Sequence, residues 1–113
     1  MTLLQKVYDA IDDKFGEDIV VLDMRNISIV NDYTIITHAD TTRKTQAIAR
    51  NVAELAAKEQ ISIGQMEGFQ EGRWILIDMQ SIIVHVFQTD ERDHYNLEKL
   101  WRDAPLVTVE QAE

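Results

Sequence analysis

Between Thr2 and Gly16 apolar side chains recur at Leu4, Val7, Tyr8, Ile11 and Phe15. This three-and-four spacing predicts an amphipathic helix over 3–15, with Thr2 as N-cap and Gly16 at the C′ position. DIVVLDM (18–24) and YTIITH (33–38) are short, β-branched runs and read as strands. In the connection RNISIVND (25–32), Ile27, Ile29 and Val30 are expected to tuck back into the core. After Asp40 a long stretch sets Ile48, Val52, Leu55 and Ala56 on one face, with Arg43, Lys44, Arg50 and Glu54 elsewhere, which predicts the main helix at about 41–59. ISIGQMEG (61–68) is a weaker strand with a glycine inside it, and the preceding helix offers a crossover from strand 33–38.

EGRWILIDM (71–79) and SIIVHVF (81–87) are the strongest strand signals, and with only Gln80 between them they predict an antiparallel hairpin. The two-residue strand period puts Ile75, Ile77 and Met79 on one face of the first and Trp74, Leu76 and Asp78 on the other. From Thr89 the pattern turns helical, with Leu97, Leu100 and Trp101 as apolar positions, until Pro105 ends it. The order α-β-β-α-β-β-β-α describes an α/β protein of α+β character: a single mixed sheet of about five strands with flanking helices. Residues 1–106 are expected to form one domain and 107–113 a flexible tail. Three helices cannot cover both faces of such a sheet, so one face is expected to stay partly open.

Composition narrows the chemistry. Among 113 residues there is no cysteine, which removes disulfides, thiol nucleophiles and thiolate metal sites. Twenty acidic against 11 basic side chains give a net charge of −9, a field that opposes docking on phosphate backbones and favours basic protein partners. With neither a signal pattern nor a long apolar run, a soluble cytoplasmic protein is expected. His38, His85, His94 and Asp78 are the candidate metal ligands, but none stands at HxH, HExxH or HxxxH spacing. His85, inside an apolar strand, reads instead as a hydrogen-bonded structural residue. Ser28, Ser62 and Ser81 lack an activating context. Gly64, Gly68 and Gly72 are interleaved with Glu67 and Glu71, whose charge repels a phosphate. Asp18 and Asp23, separated by an odd number, point to opposite faces of a regular strand. Arg43, Lys44 and Arg50 form a short basic run that reads as a solvated helix face. No catalytic, cofactor-binding or metal residue is assigned.

DIVVLD (18–23), NDYTIIT (31–37) before a TTR helix start, RWILID, IIVHVF and R-x-x-Y-x-LEKLW (92–101), in this order, resemble the ribosomal silencing factor (Iojap-like) family from about residue 3 to 106. The resemblance implies a nucleotidyltransferase-like architecture without the catalytic residues. It also implies a protein without cofactors that binds the large ribosomal subunit through its protein L-fourteen. Such a protein blocks joining with the small subunit, lowers translation when nutrients are scarce, and is a homodimer when free. Position by position, the partner-contacting tryptophan falls on Trp74, with Leu76 and Asp78 on the same side, while Arg92, Tyr95 and Glu98 border the contact face. Two stretches depart from the family pattern. His38–Lys44 replaces a Thr-Gly-Thr-Ser turn followed by Arg-His, and Asp78-Met79-Gln80-Ser81 replaces Asp-Tyr-Gly-Asp. Trp74 thus reads two ways: as an anchor for a partner, in which case Trp74→Glu spares the fold and abolishes docking, or as part of this chain's own core or homodimer interface. A metal-dependent nucleotidyltransferase is the alternative reading, on the same architecture and the scattered aspartates.

Overall fold

The computed structural model describes residues 2–95 and 105–107. Helix α1 spans Leu3–Asp13 and buries Leu4, Val7 and Ile11, with the Thr2 hydroxyl accepting from the Gln5 N–H at 3.2 Å. It stops short of the predicted end. The Phe15 N–H donates to the Asp12 carbonyl at 2.9 Å and the Gly16 N–H to the Ile11 carbonyl at 3.0 Å, the paired closure of a Schellman motif. Phe15, not Gly16, therefore holds the left-handed C′ position, at φ 64°, and it is 80% exposed rather than part of the apolar stripe. Gly16 is needed for space: a Cβ there would lie 2.5 Å from Ile11 Cγ2 and 2.8 Å from Thr37 Oγ1.

Strands β1 (Glu17–Asp23), β2 (Tyr33–Ala39), β3 (Gln65–Glu67), β4 (Trp74–Asp78) and β5 (Ile82–Gln88) form one mixed sheet in the order β1-β2-β5-β4-β3. Only β2 and β5 run parallel; the other neighbours are antiparallel, the β4–β5 hairpin included. The expected crossover from 33–38 to 61–68 is not made. β2 takes β5 as its parallel partner, and the weak third strand shrinks to three residues at the edge beside β4, where only Met66 is half-buried. Helix α2 (Thr42–Lys58) is capped by Thr41, whose hydroxyl accepts from the Lys44 N–H, while Asp40 pairs with Lys44 at 3.1 Å. Its buried stripe is Thr45, Ile48, Ala49, Val52 and Ala56. α1 and α2 cover one face of the sheet, closing the main core with Ile35, Ile75, Ile77, Met79, Val84 and Val86. The inward assignment of Ile75, Ile77 and Met79 agrees with the alternation.

A bulge between Glu17 and Val20, with Asp18 at φ 43°, makes the Asp18 end of β1 irregular, while from Ile19 onward the strand alternates between the two apolar clusters. One expectation fails next to β1. The loop after β1 does not tuck inward: Ile27, Ile29 and Val30 are 47%, 103% and 72% exposed. Met24 and Asn31 occupy the interior positions on either side of it instead. Helix α3 spans Thr89–Tyr95, and the predicted apolar positions Leu97, Leu100 and Trp101 lie outside the described residues. Beyond them, Asp23 N–H donates to the Pro105 carbonyl at 2.9 Å and Val107 N–H to the Val21 carbonyl at 3.1 Å. Val107, the first residue of the expected tail, thus pairs with the outer edge of β1 and packs on the main core.

The β4–β5 turn compensates for its missing glycine. Gln80 adopts φ 70°, and its N–H donates to Asp78 Oδ1 at 2.8 Å, an Asx-type closure. A side chain in the left-handed region costs about 1–2 kcal/mol, part of which glycine gives back through its looser unfolded chain. Gln80→Gly is therefore expected to stabilise the fold by up to about 1 kcal/mol in urea denaturation.

Candidate functional site

The second sheet face carries the residues singled out by alternation. Cross-strand register sets them in three rows. His38, Phe87 and Trp74 form the first; Val20, Ile36, His85, Leu76 and Glu67 the second; Leu22, Thr34, Ile83, Asp78 and Gln65 the third. Toward β1 this face is closed, with Leu22, Met24, Ile36 and Phe87 buried in a second apolar cluster and α3 packed against β5 and β2. Toward β4 no described element lies over it, and Trp74, Leu76, Asp78 and Ile83 are half-buried.

Trp74 is more engaged than alternation alone suggested. Its indole stacks on Phe87 with centroids 4.9 Å apart at 30°, and its Nε1–H donates to His85 Nδ1 at 3.0 Å. That hydrogen bond makes Nδ1 an acceptor, so the His85 ring is neutral, and burial pushes its pKa down to about 4. His85 is the structural histidine expected from its strand, and it locks the orientation of Trp74. Trp74→Glu consequently loses its power to separate docking from folding, because it also removes a ring stack and the donor to a buried imidazole. Leu76, opposite His85 with Glu67 on its other side, has a side chain without a polar role and is the cleaner probe.

Of the expected polar border, only Arg92 has a described side chain. Arg92 lies beyond β5 from β4: its guanidinium donates to the Asp18 carbonyl at 2.8 Å and stands 2.8 Å from His38 Nδ1. It ties α3 to the β1–β2 end. Tyr95 is the last described residue of α3, its side chain outside the described residues, as is Glu98. Beside Trp74 stands a pair that pattern reading did not single out, Arg73 with Glu91, at 2.6 Å. Asp23 is held by Arg25 in a two-pronged contact at 2.9 and 2.6 Å, and that hydrogen bonding keeps its carboxyl below the ordinary range against the opposing effect of burial. Among the described residues no three His, Asp or Glu side chains converge as metal ligands, and no helix is long and apolar enough to cross a membrane.

Against known families, the one described as ribosomal silencing factor during starvation matches residues 1–113. The chain belongs to the ribosomal silencing factor family. The ribosomal silencing factor RsfS of Bacillus subtilis (strain 168) is 48% identical over 109 residues, spanning 96% of this chain and 92% of that protein. The ribosomal silencing factor RsfS of Halalkalibacterium halodurans is 45% identical over 108 residues, again spanning 96% and 92%. A crystal structure from Bacillus halodurans superposes with a TM-score of 0.85 at 43% identity, covering 95% of this chain and 97% of that one. A Chromobacterium violaceum structure gives 0.84 at 28% identity, covering 90% and 88%. The family resemblance and the mixed-sheet fold expected from the motifs are thereby established.

Proposed function

We propose that this chain silences ribosomes by occlusion, as a non-enzymatic factor: it docks on the large subunit through ribosomal protein L-fourteen and obstructs the small subunit, lowering translation under nutrient limitation. The observation that carries the reading is the half-buried strip Trp74–Leu76–Asp78 on the sheet face turned away from α1 and α2. The strip is rigid, because Trp74 is braced by Phe87 and His85, so little side-chain freedom is lost on docking. It combines aromatic and aliphatic surface with an acid, on a chain whose charge of −9 suits a basic ribosomal protein. When free, the protein is a homodimer in this reading, and it acts in the cytoplasm. Tyr95 and Glu98 border the contact face, whereas Arg92 serves it indirectly by anchoring α3.

The test is sedimentation of purified ribosomal subunits with and without the protein, alongside Leu76→Glu. The protein is expected to prevent formation of coupled ribosomes. Leu76→Glu is expected to weaken binding to the large subunit by about thirtyfold or more, the loss of one interface hot spot, while the like charge of Glu67 opposite it lowers stability by no more than about 1 kcal/mol. Coupled ribosomes forming equally well in both samples would sink the reading.

A further inference from the structure

The loop between β1 and β2 carries three β-branched side chains in solvent, one of them, Ile29, with no cover at all. Such exposure usually belongs to a floppy segment or to a contact surface, and this loop is held in place along its length. The Ile27 and Ser28 N–H groups donate to the Met24 carbonyl at 3.0 and 2.8 Å. The Ser28 hydroxyl accepts from the Val30 and Asn31 N–H groups at 3.1 and 3.3 Å. The buried Asn31 amide donates to the Tyr33 carbonyl and Thr34 Oγ1, both at 3.1 Å, and the Asp32 N–H reaches the Ser81 carbonyl at 2.7 Å. The sequence thus spends its polar side chains on fixing the backbone of a segment whose apolar side chains point outward.

The loop also adjoins the docking strip. A notch of about 280 Å³ lies between them, lined by Val30, Ile83, Gln80 and Asp78. Its two aliphatic walls and single carboxylate match a long basic side chain, whose methylene stem lies on apolar surface while its charge meets an acid. With a water's share of liquid volume at about 30 Å³, the notch has room for one such chain. Asp78 belongs to both features, as the third residue of the strip on β4 and the acid of the notch.

We propose that the 25–32 loop is a second docking element for the same basic ribosomal protein surface. Ile29 and Val30 cover an apolar part of that surface, and one of its lysines or arginines enters the notch between Val30 and Ile83 to meet Asp78. The inference rests on the reading of the Trp74–Leu76–Asp78 strip and extends its footprint around the end of the β4–β5 hairpin. It explains why exposed aliphatics sit on a pinned loop, and why the charge of the strip falls at the end nearest that loop.

The test compares the full chain with Ile29→Ser/Val30→Ser, Val30→Ser, Asp78→Asn, Val30→Ser/Asp78→Asn and Leu76→Glu, measuring affinity for purified large ribosomal subunits, melting temperature, and the sedimentation coefficient of the free protein. The loop variant is expected to bind at least tenfold more weakly with an unchanged melting temperature. Val30→Ser combined with Asp78→Asn is expected to lose less than the product of the single losses, because both changes act on one bound side chain. Full-strength binding by the loop variant, with Leu76→Glu impaired, overturns this inference and leaves the strip intact. Losses that simply multiply overturn the shared notch. A free dimer that the loop variant splits, with subunit binding unchanged, reassigns the loop to a second copy of the chain and also overturns the proposal. If the parent chain fails to bind large subunits, the reading of the strip falls and the loop proposal with it.

Discussion

Phe87→Ala is expected to lower the free energy of unfolding by about 3–5 kcal/mol, the range for truncating a buried aromatic without collapse of the site. Phe87 is fully buried and heads the large side chains of the interior. It stacks on Trp74 at 4.9 Å and lies nearly parallel to His85, with centroids 6.2 Å apart at 12°. It sits on β5, hydrogen-bonded to β2 on one side and β4 on the other, so the backbone cannot move in to fill the space. The measurable is the urea midpoint at constant m-value. A loss below about 1 kcal/mol would show that the second cluster packs loosely. The same variant should bind large subunits more weakly, since Trp74 loses the ring that braces it. Leu76→Glu gives the opposite pairing, weak binding on a fold weakened by no more than about 1 kcal/mol through the like charge of Glu67. Together the two substitutions separate the proposed docking surface from the cluster that braces it.

Acidification should be the second large effect. The pKa of His85 is about 4 in the folded chain, against 6.5 for an unperturbed imidazole. Between those values the unfolded chain binds the extra proton and the folded chain does not, so stability rises with pH through the window and falls on acidification. At 1.36 kcal/mol for each pH unit, the loss from pH 6.5 to about 4 reaches about 3 kcal/mol. Asp23 acts in the next window down. The Arg25 hydrogen bond lowers its pKa from 3.8, so its contribution is present above that value and is lost as pH falls through the folded value. Denaturation midpoints between pH 7 and 4.5 should therefore decline for the parent chain. They should decline much less for His85→Asn, whose amide oxygen can still accept from Trp74. An equally steep decline in both would assign the acid sensitivity to other groups.

The core faces of the two long helices and the alternation on β4 were legible because each pattern reports burial against a single face, and burial is what periodicity encodes. The placement of the candidate site was legible to the same degree: alternation put Trp74, Leu76 and Asp78 together, and the structure keeps them on one face. Periodicity could not reveal that Trp74 turns its indole onto Phe87 and His85, because the partners come from a neighbouring strand. The one available hint was a histidine inside an apolar strand, which needed a donor or acceptor nearby. Ile27, Ile29 and Val30 misled for a related reason. Hydrophobic side chains in a connection are indistinguishable from core residues until the backbone bonds of Ser28 and Asn31 fix which way the loop turns. Phe15 misled because its spacing continued the helix, while the closing bonds to Asp12 and Ile11 set the left-handed residue one position earlier than the glycine, whose missing side chain is needed for space beside Ile11 and Thr37. The partner of β2 was hidden because strand pairing across a long separation leaves no local mark.

That last feature has a bearing on synthesis. β2 is joined to β1 before it in the chain, but its other neighbour, β5, begins only at Ile82, after α2, β3 and β4 have been made. A growing chain therefore carries a two-stranded ribbon whose inner edge, rich in isoleucine, stays unpaired until the later hairpin arrives. The middle of the sheet closes late, at the entropic cost of a long loop. For this small protein the interval before Gln88 emerges is when a foreign strand could most readily take the place of β5.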